Sequence, residues 1–226
     1  MTSRRSKRAL HCSSVAVAAG LWIGTAAADR DDVDAARIDW AAGRVTAGGT
    51  GIADRHAPSP AVALGTSRRG ADDAARRRIA AKLRALPLAG GGTLAEMLTD
   101  PAIRARVDAA VAAAYTVAAE PETDGSWHVT LAVPIEAVRM AFAGTRALPT
   151  TGDPGPPVVV VEAVAARPAV GWSVGGVAAA TVWVKDVPAW AKDAPRVKAT
   201  SARAGTIAVD PSAGTAATLY VLMARS

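Results

Sequence analysis

A stretch at residues 150–157 divides the chain into two kinds of sequence, and that division limits the folds open to it. It reads Thr-Thr-Gly-Asp-Pro-Gly-Pro-Pro, and prolines and glycines at this density let neither a helix nor a strand run through. Before it lie a strong helical period and an alternating hairpin pattern. After it lie only short β-like segments, at residues 158–164, 179–185, 196–200, 206–209 and 218–223. Helix and strand signals thus segregate along the chain, which predicts an α+β protein rather than alternating βαβ units. The expected architecture is a small sheet packed on one main amphipathic helix, followed by a small β-rich C-terminal domain. The boundaries are 38–149 for the α+β domain, 150–157 for the linker and 158–226 for the β-rich domain. A tail of about seventy residues is near the size at which a lone domain is marginal, so it is expected to pack against the first domain.

The helical signal is clearest at residues 67–86. Ala71, Ala74, Ala75, Ile79, Leu83 and Leu86 recur at three- and four-residue spacings and so share one face. Asp72, Asp73, Arg76, Arg77, Lys82 and Arg84 fall outside it, acids nearer the start and bases nearer the end, as the helix dipole favours. Thr66 or Ser67 is placed to cap this helix and Pro87 to stop it. A solvated face accounts for the arginines. The competing reading makes Arg76, Arg77, Lys82 and Arg84 a face for an anionic partner such as lipid headgroups or a polymer.

Around this helix the remaining elements are short. Residues 44–47 suit a strand. Gly49 and Gly51 begin a dinucleotide-like spacing, but Asp54 stands where the third glycine belongs, and Pro58 and Pro60 follow where a helix should open. After the Gly90-Gly91-Gly92 turn, residues 93–114 read as helix in one or two pieces, with Pro101 in a first turn. Residues 115–119 and 127–133 form a hairpin whose turn holds Pro121 and Asp124-Gly125; Trp127, Val129, Leu131 and Val133 alternate as in a half-buried strand. Residues 135–143 add a short helix.

The N-terminus has the three-part pattern of an export signal. Arg4, Arg5, Lys7 and Arg8 are followed by an apolar stretch at 15–24 and by Ala26-Ala27-Ala28 before Asp29. Residues 1–28 are therefore expected to be a cleaved signal peptide, since the apolar core is too short to span a bilayer. Lys7 occupies the position where twin-arginine signals place a large apolar residue, which favours the general secretory route. Cys12 lacks the upstream apolar stretch that lipoprotein processing needs. Residues 29–37, with Asp29, Asp31, Asp32 and Asp34, read as a flexible acidic leader. The net charge of the whole chain is +6; the signal supplies four positive charges and no acid, leaving +2. That is too little for a nucleic-acid-binding surface.

Cys12 is the only cysteine, so a mature chain has no disulfide, thiolate metal site or cysteine nucleophile. Its histidines are His56 and His128, too few for a multi-histidine metal centre. His128, between Trp127 and Val129, is expected to point to solvent, and His56 to lie in a surface loop. No nucleophile elbow or phosphate loop occurs; a carboxylate pair for glycoside cleavage has no fixed spacing, so it stays open among Glu96, Glu120, Glu122, Glu136 and Glu162. The expectation is a non-enzyme without cofactor or metal. Trp183 and Trp190 are candidates for stacking on a ligand.

Three stretches together carry a family resemblance. They are Asp39-Trp40 with Gly43 and Ala47-Gly48-Gly49; the alanine- and arginine-rich helix at 71–86; and Asp124-Gly125-Ser126-Trp127-His128-Val129 leading to Val133-Pro134. In this order they resemble the Lpp-twenty outer-membrane lipoprotein family and the related N-terminal domain of flagellar assembly protein T. Arg167-Pro168-Ala169, residues 179–184 and Pro195-Arg196-Val197-Lys198-Ala199 are similar to the strands that follow this domain in longer relatives. The resemblance implies a small α+β domain in an envelope scaffold or assembly factor without an active site. It further implies a location in the periplasm or at the outer membrane of a Gram-negative bacterium, with an envelope protein partner or a second copy. Two departures stand out: the lipidated cysteine is missing, and the segment before residue 93 is too short for a strand expected there. The alternative reading is a periplasmic binding module for a polyanion or small ligand.

Overall fold

A computed structural model describes residues 34–143, 157–210 and 217–225. The signal segment, residues 29–33 of the leader and 150–156 of the linker lie outside the described residues. The architecture is α+β, with a four-stranded antiparallel sheet on a long helix followed by a seven-stranded mixed sheet.

The first sheet comprises β1 (Arg37–Asp39), β2 (Arg44–Gly51), β3 (Tyr115–Pro121) and β4 (Trp127–Pro134), in the order β1-β2-β4-β3. Helix α1 (Pro60–Arg84) lies across one face. Its approach to β2 is set by glycine. A Cβ on Gly51 would lie 1.7 Å from the Ser67 carbonyl oxygen, and one on Gly49 2.2 Å from that of Ala71. Only hydrogen at these positions lets the two backbones meet. The helix answers with Ser67, Ala71 and Ala75, then widens to Ile79 and Leu83, all buried. β2 widens in the same direction, from Gly51 and Gly49 to Ala47 and Val45, so two matching tapers make the core.

Helix α1 begins seven residues earlier than its apolar period suggests. Pro58 and Pro60 read as breakers, yet Pro60 is the first helical residue, where a missing N–H leaves nothing unpaired. Ser59 Oγ accepts a hydrogen bond from the Val62 N–H at 3.3 Å and caps the helix. Asp72 and Asp73 are consequently in mid-helix.

Three further helices follow expectation: α2 (Leu94–Met97), α3 (Pro101–Ala112) and α4 (Ile135–Ala143). Thr93 and Glu96 form a capping box at α2, and Asp100 caps α3 through the Ala102 N–H at 2.7 Å. Ile103, Val107 and Val111 of α3 join Leu83, Leu86, Ile135 and Val138 in one buried cluster. Arg139 of α4 is buried against Glu136 at 2.7 and 2.5 Å. That hydrogen bond, opposed by burial, raises its pKa above the ordinary arginine value. A raised cationic pKa adds stability that is present below the unfolded value and lost only above it, so the pair is insensitive to physiological pH. Between α1 and α2 the described residues hold only isolated bridges, Pro87 to Thr93 and Leu88 to Val170.

The second sheet is built from β5 (Val158–Val164), β6 (Ser173–Val174), β7 (Val177–Ala178), β8 (Ala180–Val184), β9 (Arg196–Arg203), β10 (Thr206–Val209) and β11 (Leu219–Ala224). Its order is β7-β6-β10-β9-β5-β11-β8. The two end strands, β7 and β8, are separated in sequence by Ala179 alone, so the sheet curls back on itself into a nearly closed barrel. β8, β11, β5 and β9 run parallel, and β5 is buried on both faces. Val159 and Val161 enter the core with Trp172, Trp183, Ile207 and Tyr220, while Val160 packs outward with Val221 and Ala191. An uninterrupted valine run is what such a strand requires.

Trp40 joins the halves. It packs against both main clusters, its carbonyl accepts a hydrogen bond from the Trp183 N–H at 3.0 Å, and Val170 exchanges bonds with Pro87 and Ala89, each 2.9 Å.

The glycine fit gives a paired expectation for urea unfolding. Gly51→Ala should lower stability by about 1–3 kcal/mol through overpacking. Gly65→Ala, in helix α1 with open space around its Cβ, should raise it by about 0.4–1 kcal/mol. Equal midpoints for the two variants would contradict the packing described.

Candidate functional site

The four basic residues proposed for an anionic partner do not share one surface. At about 100° per residue, Arg77 and Arg84 fall within about 20° of each other on the outer side of α1. Lys82 lies about 140–160° away and is half-buried. Arg76 is drawn to Asp73 at 3.6 Å. Their neighbours are also engaged: Arg68 stacks over the Trp127 ring at 5.0 Å, and Arg78 turns inward.

Arg78 leads to a cluster that sequence reasoning missed. Asp34, read above as part of a solvated leader, is buried. Its Oδ2 accepts a hydrogen bond from Arg78 Nη1 at 2.7 Å, and the same nitrogen donates to the Gly48 carbonyl at 2.7 Å. β1 is paired with β2 only as far as Thr46, so Arg78 reaches round the sheet edge to a carbonyl beyond that pairing. Asp34 covers the opposite face of Gly48, where a Cβ would collide with its carboxylate.

His128 is likewise not turned to solvent. Its Nδ1 lies 3.4 Å from Asp34 Oδ1 and 3.5 Å from Thr50 Oγ1, while Thr50 Oγ1 donates to Asp34 Oδ2 at 3.4 Å. Acid, imidazole and hydroxyl are together, but carboxylate and hydroxyl approach the same ring nitrogen. A proton relay to a nucleophile needs them on opposite nitrogens; here the contacts join β2 and β4 to the segment before β1. Of the other candidates, His56 donates its backbone N–H to Asp54 Oδ1 at 2.8 Å in an exposed loop, and Glu162 meets Arg196 at 3.3 Å. Among the described residues no three His, Cys, Asp or Glu side chains gather as a metal site would need.

A cleft of ≈ 910 Å³ lies between the halves. One wall is all of β1 with Trp40, Ala41 and Thr46; the other is Trp183, Val184, Lys185 and Asp186, with Pro168, Pro188 and Ala224. Its size is that of an ordinary ligand site. Trp183 is buried at its wall, while Trp190 lies elsewhere and is 58% exposed. No pattern in the sequence announces the cleft, because its walls come from segments some 140 residues apart in the chain.

The chain matches no known protein-family model and no curated protein. No helix among the described residues is long and apolar enough to cross a membrane.

The half-buried ion pair of Asp34 and Arg78 can be tested by a double-mutant cycle. Asp34→Ala and Arg78→Met should each destabilise the protein, with a coupling energy of about 1–3 kcal/mol by urea unfolding. Additive effects would remove the pair from the list of contacts holding the edge of β2.

Proposed function

We propose that this is an exported, non-enzymatic protein of the cell envelope of a Gram-negative bacterium, with a structural or assembly role at the periplasm or outer membrane. One observation carries the reading. The three stretches that resemble the Lpp-twenty and flagellar assembly protein T domains become β2, α1 and the hairpin strand β4, which pack together as one unit. Gly49 and the apolar positions of these stretches make the contacts of that unit. The shared pattern therefore corresponds to a cooperative fold element, as a domain resemblance requires.

The non-enzymatic part of the reading rests on the geometry around His128, whose two polar neighbours crowd Nδ1. A polyanion-binding role is less well supported, because Arg76, Arg77, Lys82 and Arg84 are spread round α1 and only Arg77 and Arg84 share a side. The N-terminal basic and apolar pattern supports export.

Expression of the full chain with an epitope tag in a Gram-negative host tests this directly. A mature chain beginning at Asp29 is expected by mass spectrometry, fractionating with the envelope and cross-linking to an envelope protein or to a second copy. A cytoplasmic chain that keeps residues 1–28, or a processed one that stays a free monomer, would refute the proposal.

A further inference from the structure

We infer that a pocket between α1, α2 and α3 binds a free α-amino acid with an apolar side chain. The inference goes beyond the envelope role and uses none of its premises, so it stands or falls whether or not the chain is exported.

The pocket has a volume of ≈ 310 Å³, at the small end of the range for ligand sites. Two of its lining positions, Ala80 of α1 and Ala95 of α2, end at Cβ and leave the space open. Its floor is the edge of the first core, where Leu83, Val107 and Val111 line it and are otherwise buried. An apolar group that covers such a floor leaves water for a hydrocarbon surface, which is favourable.

The rim carries charges of both signs. Arg84 of α1 and Arg104 and Asp108 of α3 line the pocket, and all three are exposed. Among the described residues neither Arg84 nor Asp108 has an ion-pair partner. Arg104 and Asp108 lie about 6 Å apart along the helix axis, yet they do not pair with each other. Arg104 turns instead to the end of α2, where its Nε and Nη2 both donate to the Leu98 carbonyl at 3.0 and 2.8 Å. This clamp holds the guanidinium at the pocket and leaves the Nη1 hydrogens for a ligand. A side chain already held loses little further rotamer freedom on binding.

The ligand class follows from what these groups reject. Phosphate or a polyanion would meet the Asp108 carboxylate. A divalent cation would find one carboxylate and two guanidinium groups. A neutral hydrocarbon would cover the charges without pairing them, and a simple carboxylic acid would pair with arginine but not with Asp108. An amino acid carries both charges on one carbon. Its carboxylate suits Arg84 and Arg104 and its ammonium suits Asp108, each as a charge-assisted hydrogen bond, while its side chain covers Leu83, Val107 and Val111.

The experiment is calorimetric titration of the mature chain, residues 29–226. L-Leucine should bind with a dissociation constant on the order of 100 μM. N-Acetyl-L-leucine lacks the ammonium, L-leucinamide lacks the carboxylate and glycine lacks the apolar side chain; each should bind at least tenfold more weakly. Asp108→Asn should weaken L-leucine at least tenfold and leave N-acetyl-L-leucine unchanged. Arg84→Gln should do the same to L-leucine and leave L-leucinamide unchanged. Ala95→Phe should abolish binding by filling the space. All three positions are exposed, so the unfolding midpoints should stay near that of the parent. No saturable heat with L-leucine, L-valine or L-phenylalanine up to about 10 mM would overturn the proposal. So would N-acetyl-L-leucine or glycine binding as tightly as L-leucine, or L-leucine binding equally to the parent and the three variants.

Discussion

The closeness of two backbones, β2 and α1, is the constraint from which the first half of the molecule follows. Where Gly49 and Gly51 face the helix, no side chain separates sheet from helix, and the helix must be equally small at Ser67, Ala71 and Ala75. An alanine-rich chain with few aromatic residues has little bulk to bury, and bringing backbones together recovers dispersion contacts that large side chains otherwise supply. The same closeness explains Arg78. Because the helix lies so near the edge of β2, its side chain can reach past that edge to the Gly48 carbonyl and Asp34. Gly48 completes the arrangement by admitting Asp34 on the other face. Three glycines in one strand thus serve two neighbours on opposite sides.

Much of this was legible in the sequence where a local rule and the tertiary contact agree. The hairpin at residues 115–134, the proline-started helix α3, the short helix α4 and the valine strand β5 all follow from period, cap or run length, and the α+β class follows from their order. The misses have physical causes. The start of α1 was placed too late because Pro58 and Pro60 break periodicity, although proline at a first helical position is harmless. Its first turns carry exposed Val62 and Leu64, so no apolar face marked them. Strands β6 and β7 have two residues each, too few for alternation to show. Asp34 looked like one of four acids in a leader, and only its distant partners Arg78 and His128 single it out. His128 falls on the face of β4 away from α1, which the alternation makes a solvent face, but Asp34 and Thr50 cover it, and nothing beside it in sequence says so. The inter-sheet cleft was invisible for the same reason.

The second half of the molecule handles its strand edges by a different device. A seven-stranded sheet left open would present two edges to solvent, a hazard for association with other chains. Curling until β7 and β8 are neighbours in sequence removes most of that hazard, and a nearly filled interior of Trp172, Trp183, Ile207 and Tyr220 supports the curvature. Trp172 and Trp183 meet edge to face at 6.4 Å, a geometry favourable to their ring quadrupoles. β8 is the strand that closure leaves partly uncovered, and Trp40 of the first half bonds to it there.

Trp40 therefore belongs to two cores at once, and this couples them. A β-rich unit of about seventy residues has little stability of its own to spare, so the contacts at Trp40 and Val170 matter more to the second half than their number suggests. Anything bound in the adjoining cleft touches both walls and binds best when both are in place. By linkage, such a ligand strengthens the junction by as much as the junction strengthens its binding. Cohesion of the two halves and occupancy of the cleft are, on this geometry, one equilibrium seen from two sides. A site at a junction of this kind also differs from one inside a rigid core, because loosening Trp40 would weaken binding without disturbing the β2–α1 contact that holds the first half together.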